Sequence, residues 1–223
     1  HGQPRCDTKE HQRHCHTDSL KMPAQPAEHL SNCRLFLMPP SALDASTISA
    51  CIAAAADAGD VACLVLPADK KLIEEVLPMA QQRDIAVLVS GDSRSAAYAG
   101  ADGVHLATTL EDVEAARKSL GHKASIGFVA SGSRHAAMEA GENGIDYLAF
   151  DLSNQAGQDL LEWWTPLFEV PCVGINAADE AICLAAIAAG ADFIMPPDAM
   201  WQSADAAADL SARLTRAGRR DEP

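Results

Sequence analysis

The sequence predicts an α/β protein folded as a single (β/α)8 TIM barrel, and three observations carry that expectation. Four segments open alike: Ala58-Gly59-Asp60-Val61, Gly100-Ala101-Asp102-Gly103-Val104, Gly144-Ile145-Asp146-Tyr147 and Gly190-Ala191-Asp192-Phe193. Their glycines lie 41, 44 and 46 residues apart (59 to 100, 100 to 144, 144 to 190). Each interval holds one further apolar run: Ile85 to Val89, Ser125 to Phe128 and Cys172 to Ile175. Such a repeat is a unit of two strands and two helices. A first strand near Leu35 to Met38 brings the strand count to eight, enough to close a barrel. Lastly, runs such as Cys63-Leu64-Val65-Leu66 and Ala86-Val87-Leu88-Val89 are continuously apolar, as strands buried on both faces are.

The repeated glycine stands where a helix stops and the chain turns sharply into a strand. A positive φ suits that turn, and glycine adopts it without steric cost. The aspartate suits the short loop, where its carboxylate can bond neighbouring backbone amides. These segments mark the N-terminal face of the barrel, so chemistry is expected at the opposite end. Helices are expected over 44–57, 70–82, 93–99, 109–119, 133–140, 158–168, 178–189 and 203–217. The fourth takes Thr108 or Thr109 as its cap, with Glu111 and Asp112 in the first turn. The barrel is expected over residues 33–217. Residues 218–223 read as a frayed, charged tail.

Residues 1–32 differ from the rest. They are polar, aperiodic and contain Pro4, Pro23 and Pro26, so a disordered tail is expected. Within it stand Cys6, His11, His14, Cys15 and His16, dense enough to hold zinc or nickel, yet matching no closed zinc-site spacing. No metal site is assigned to them.

With 223 residues the chain just exceeds the roughly 200 that such a barrel needs. An apolar content of 48% supports a large core. The formal charge of −14 argues against nucleic acid and anionic membranes, which call for a basic face. No apolar run reaches the roughly 18 residues of a spanning helix, and no signal peptide is evident. The seven cysteines are an odd number, and Cys51, Cys63, Cys172 and Cys183 fall in apolar patterns. Buried free thiols and a cytoplasmic location are expected. A homo-oligomer stays open.

Function should sit where strands end. The rim there carries Pro39-Pro40-Ser41, Asp69-Lys70-Lys71, Ser90-Gly91-Asp92-Ser93-Arg94, His105 and Thr108-Thr109, then Ser131-Gly132-Ser133-Arg134-His135, Asp151 to Gln155, Asn176-Ala177 and Pro196-Pro197-Asp198. Candidate ligand contacts are Lys70, Ser90, Asp92, Ser131, Asp151, Asn154, Asn176 and Asp198. Asp92, Ser93 and Ser133 equally sit where helix caps belong, and Asn176 suits a cap or turn. His105 reads as a packed structural histidine, and Trp163-Trp164 as helix–barrel packing.

Gly100-Ala101-Asp102-Gly103-Val104-His105-Leu106 resembles the strand-4 signature of the thiamine phosphate synthase family, which includes the thiazole tautomerases. Asp146-Tyr147-Leu148-Ala149-Phe150 is similar to the family's strand 6, and Ala189-Gly190-Ala191-Asp192 to its approach to strand 8. The resemblance spans residues 34–202 in order. It implies a barrel that joins a pyrimidine pyrophosphate to a thiazole phosphate. In that reaction Mg²⁺ and basic groups draw off pyrophosphate, and the thiazole nitrogen attacks the cation left behind.

The chain departs from the family pattern as a divergent paralogue would. Where family strand 2 ends Gln-x-Arg-x-Lys, this chain has Val65-Leu66-Pro67-Ala68-Asp69. Where strand 3 ends Asn-Asp, it has Ser90-Gly91, and the second metal aspartate falls at Leu110. Residues 151–160 contain no lysine for pyrophosphate. The Gly-Gly phosphate cradle is replaced by Asn176-Ala177, and the tautomerase histidine by Ser131. No family catalytic residue is matched and no cofactor is expected, with Mg²⁺ tied to survival of the family activity. The expected ligand is a thiazole or pyrimidine phosphate. Two readings stand: a thiamine phosphate synthase-like protein of thiamine biosynthesis, or an inactive or repurposed barrel that binds a small molecule or regulates a partner.

Overall fold

The structure is a computed structural model and describes residues 32–130 and 132–219. The cysteine- and histidine-bearing segment 1–31, the candidate Ser131, and residues 220–223 lie outside them. In chain order the elements are β1 (Arg34–Leu37), α1 (Ala45–Ala58), β2 (Val61–Leu66), α2 (Lys70–Gln81), β3 (Ala86–Ser90) and α3 (Ser93–Ala99). Next come β4 (Gly103–Leu106), α4 (Leu110–Leu120), β5 (Ser125–Val129), α5 (Arg134–Glu142), β6 (Tyr147–Asp151) and α6 (Gln155–Trp164). The chain finishes with β7 (Cys172–Ile175), α7 (Glu180–Ala189), β8 (Phe193–Ile194), a 3₁₀ turn (Asp198–Gln202) and α8 (Ala204–Gly218). All eight strands are parallel and in sequence order. β1 meets β8 through Arg34 opposite Phe193 and Leu35 opposite Ile194, which closes the barrel.

The recurring aspartates do more than the sequence implies. Asp102 precedes β4, yet its Oδ2 accepts the Val87 amide of β3 at 2.8 Å. Asp146 precedes β6 and accepts the Ile126 amide of β5 at 2.7 Å. Asp192 precedes β8 and accepts the Cys172 amide of β7 at 2.9 Å. Asp60 precedes β2 and accepts Nε of Arg34 in β1 at 2.8 Å. Each carboxylate therefore reaches the preceding strand rather than its own loop. Asp102, Asp146 and Asp192 thereby satisfy backbone donors near the start of that strand.

Three of the four repeated glycines are left-handed as expected: Gly100 at φ 68°, Gly144 at 73° and Gly190 at 105°. Gly59 is not. It is extended, at φ −146°, and a Cβ there would stand 2.7 Å from Thr215 Oγ1 and 3.0 Å from the Ser211 carbonyl of α8. Close approach of the last helix, not backbone conformation, demands that glycine. Gly218 belongs to α8 rather than to a frayed tail, because the Cys33 amide donates to its carbonyl at 2.9 Å.

Helix 6 starts three residues earlier than expected and ends at Trp164. Asn154 caps it by accepting the Gly157 amide at 3.1 Å. Beyond Trp164, Thr165 turns its hydroxyl to the Ala189 carbonyl at 2.7 Å, and Pro166 cannot extend the helix. Leu167 and Phe168 therefore lie in a turn, where Phe168 stacks on Trp164 at 4.0 Å.

Two cores result. The larger lies between barrel and helices and includes Leu64, Leu66, Val87, Phe150 and Trp164. The smaller fills the barrel with Phe36, Cys63, Val65, Leu88, Tyr147, Val173, Ile175 and Met195. Cys51, Cys63, Cys172 and Cys183 are free and buried, and Cys33 is buried as well. Among the described residues, no helix is long and apolar enough to cross a membrane.

Candidate functional site

Side chains alternate along a strand, so the barrel interior settles which rim residues face the mouth. Leu88 points inward on β3, which puts Ser90 on the same face. Tyr147 and Ala149 point inward on β6, which puts Asp151 there. Met38 and Val129 pack against the interior cluster that contains Ile175 and Met195. The inward wall of the mouth is thus largely apolar, interrupted by the half-buried Ser90 and Asp151.

Beneath it lies an aromatic layer. His105 stands level with Ser90 across the β3–β4 ladder. It is 3% exposed. Its Nδ1 lies 2.7 Å from the Tyr147 hydroxyl, and the two rings stack with their planes 16° apart. Phe36 meets Tyr147 edge-on, with centroids 5.6 Å apart. Room for the tyrosine comes from β5, because a Cβ at Gly127 would fall 1.8 Å from Tyr147 Cζ. Burial lowers the His105 pKa to about 4 and pushes the Tyr147 hydroxyl well above its ordinary value. Both are neutral near pH 7, and a neutral pair satisfies itself in an apolar interior.

The remaining candidates have local work. Asp92 caps α3, accepting the Arg94 amide at 2.9 Å and the Ser95 hydroxyl at 2.6 Å. These bonds hold its carboxyl below the usual range. Asn154 caps α6. Asp151 Oδ1 accepts the Ser153 amide at 3.0 Å. Asp198 opens the 3₁₀ turn. Lys70 Nζ lies 3.7 Å from Glu74 and 5.3 Å over the Tyr98 ring, on the outer wall. Arg134 lies over the Trp163 ring at 5.0 Å, and Lys71 pairs with Glu75 at 3.8 Å. Trp164 is buried and donates to the Val170 carbonyl, so this tryptophan pair packs helix on barrel.

Asn176 and Ala177 divide the role expected of them. Asn176 takes the left-handed conformation, φ 57°, and stands exposed. Among residues with a side chain, asparagine tolerates that region well. Ala177 has no positive φ, and its methyl is buried in the barrel–helix core. The side chain that replaces the bare cradle is therefore one, not two. Strand parity puts Ser90 and Asp151 on the inward face, three strands apart, with Asn176 exposed just past β7. Lys70, Asp92, Asn154 and Asp198 stay on the rim and outer wall.

Two contributors escape a reading of rim loops. Tyr147 sits at a strand start, and only its pairing with His105 reveals it. Gly157 lies in the first turn of α6, where a Cβ would fall 1.7 Å from the Asp151 carbonyl oxygen. That contact sets α6 hard against the end of β6 and so holds Asp151 in place. Glycine inside a helix, disfavoured by about 1 kcal/mol, is the available signal.

The residues present do not fit a magnesium ion. Hard cations take several oxygen ligands. Ser90, Gly91 and Leu110 bring no carboxylate to the family positions. Among the described residues, no group of three or more His, Cys, Asp or Glu side chains gathers to hold a metal.

Fold and site together define a closed parallel (β/α)8 barrel with its candidate site at the carboxyl ends of its strands. The family model described as thiamine monophosphate synthase matches residues 35–196, and the chain belongs to that family. The thiamine-phosphate synthase of Rhodospirillum centenum is 35% identical over 188 residues, covering 77% of this chain and 91% of that protein. The thiamine-phosphate synthase of Hyphomonas neptunium is 34% identical over 193 residues, covering 77% and 87%. Among solved structures, thiamine phosphate pyrophosphorylase from Pyrococcus furiosus superposes with a TM-score of 0.68 at 18% identity. That match covers 84% of this chain and 96% of that one, and it speaks for the fold.

Proposed function

We propose that this protein serves thiamine biosynthesis in the cytoplasm as a thiamine phosphate synthase-type barrel. Its mouth takes a thiazole or pyrimidine phosphate. The supporting observation is the family match over residues 35–196, on a closed barrel whose mouth is lined by small and apolar side chains. In the family reaction the C–O bond to pyrophosphate breaks and the thiazole nitrogen attacks the carbocation that remains. Asp151, half-buried and inward, supplies a negative charge beside such a cation. Met38, Val129, Ile175 and Met195 keep water from it. Ser90 supplies a hydroxyl to orient the ligand. Phosphate falls to the first-turn backbone amides of α7 and α8 other than those of Ile182 and Ala206, which Asp179 and Ser203 cap.

A second reading is favoured by the fate of the rim cations. Lys70, Lys71 and Arg134 are engaged on the outer helices. A departing pyrophosphate is left without a side-chain cation among these three, which suits a barrel that binds the ligand without turning it over. One experiment separates the two readings. The purified full chain is incubated with both thiamine precursors, with and without Mg²⁺, and thiamine phosphate and pyrophosphate are measured. Product lost in Asp151→Asn supports the first reading. Saturable binding of thiazole phosphate without product supports the second. Neither binding nor product overturns both.

A further inference from the structure

A groove of about 510 Å³ runs along the outer wall between α2 and α3, its Lys70 and Arg94 end at the carboxyl rim. Its origin is a mismatch in helix length. α2 has 12 residues and α3 only 7. At 1.5 Å per residue these span about 18 and 10 Å, so α3 cannot cover the flank of its neighbour. Ile73 and Leu77 form the groove's apolar floor, and Ala99 adds little bulk. Tyr98 forms one wall and is 77% exposed, well beyond the other exposed large hydrophobic residues. This sets an exposed aromatic ring, with Lys70 Nζ 5.3 Å over one face of it, beside the apolar side chains of Ile73 and Leu77. The volume lies within the roughly 300–1,000 Å³ typical of small-molecule sites.

Charge names the ligand. Lys70 and Arg94 flank the groove at the end where both helices start, and Glu74 lines it as well. Lys70 and Glu74 pair at 3.7 Å and cancel. Arg94 forms no ion pair among the described residues. Its acidic neighbour Asp92 is already bonded to the Arg94 amide and the Ser95 hydroxyl. The groove is left with one guanidinium that no salt bridge holds, its charge partly offset by neighbouring Asp92, in a chain of net charge −14.

We propose that this groove is a binding site for a flat aromatic molecule bearing a single carboxylate or sulfonate. The ring lies against Tyr98, Ile73 and Leu77. The acid group takes paired hydrogen bonds from the planar Arg94 guanidinium, which matches a carboxylate fork for fork. This site is separate from the mouth and stands whether or not the proposed function does.

The test is titration of the full chain with 1-naphthoate, followed by calorimetry and ligand-observed NMR. We expect one saturable site. Arg94→Gln and Tyr98→Ala should each weaken it at least tenfold, about 1.4 kcal/mol. Both side chains are exposed, so circular dichroism should be unchanged. Arg94→Lys should restore the affinity only in part, because a lysine cannot pair bidentately. Two results overturn the proposal. One is no saturable binding below about 1 mM. The other is binding that survives Arg94→Gln and Tyr98→Ala but disappears in Asp151→Asn, which would place the ligand in the mouth.

Discussion

Aspartates at the N-terminal end of this barrel tie one strand to another, whereas those at the C-terminal end tie a helix to its own first turn. Asp102, Asp146 and Asp192 bond amides 15, 20 and 20 residues away, in a different strand. Asp44, Asp69, Asp92 and Asp179 bond amides two or three residues away. The first group sets register, because each carboxylate fixes one strand start against the next. The second group only stabilises helix starts. A cap can be replaced without moving a strand, so the capped end is free to vary its loops. The latched end is not.

The sharpest way to break this contrast is Asp146→Ala. Its Oδ2 accepts from both the Ile126 amide and Arg117 Nη2, each at 2.7 Å. Arg117 also holds the Ala124 and Gly144 carbonyls, so the substitution frees a node rather than a pair. Removing one partner of a buried pair costs about 3–5 kcal/mol, and partial exposure of Asp146 brings this to about 3. Urea unfolding measures it. A loss under about 1 kcal/mol would put Asp146 on the level of a cap.

Between the two ends, His105 gives a pH signature. Its folded pKa is lowered to about 4 from an ordinary 6.5, so below pH 6.5 the unfolded chain takes up a proton that the folded chain refuses. Stability is fully present above pH 6.5 and falls as the pH drops towards 4. By pH 5 the loss is about 2 kcal/mol, at about 1.4 kcal/mol per pH unit. Unfolding free energies at pH 7 and pH 5 should show it in the natural chain and not in His105→Gln. An equal slope in both would assign the effect elsewhere.

Asp92→Ala should cost about 1 kcal/mol, the ordinary value of a lost cap, and leave the barrel intact. Smaller still is Asn176→Gly. It relieves a left-handed side chain and should raise stability by less than about 1 kcal/mol. The same variant should bind thiazole phosphate more tightly, by up to about tenfold, if Asn176 obstructs the amides beside it. Tighter binding would mark the C-terminal end as the place where function was traded. Unchanged binding would move the phosphate away from β7.

Much of the fold was legible in the chain because its signals are local. Gly100, Gly144 and Gly190 need no distant partner to favour a left-handed turn, and Thr109 with Asp112 closes a capping box within four residues. Gly59 looks identical in sequence but is required by α8, more than 150 residues away in the chain, so no local pattern distinguishes it. The rim residues were legible as positions but not as directions. Lys70 comes after β2 and Asp151 ends β6; strand parity turns Asp151 inward, while the Tyr98 ring and Glu74 keep Lys70 outside.

The sequence by itself determined the alternation of strand and helix, the number of units and the end on which chemistry is sought. Those depend on apolar runs and turn residues that act over a few positions. Tertiary structure alone decided which carboxylate latches which strand, that His105 meets Tyr147 across the interior, and that Ala177 packs into the core while Asn176 stays exposed. Each of these outcomes is a contact between segments distant in the chain. The closed barrel creates such contacts only once every strand has found its neighbour.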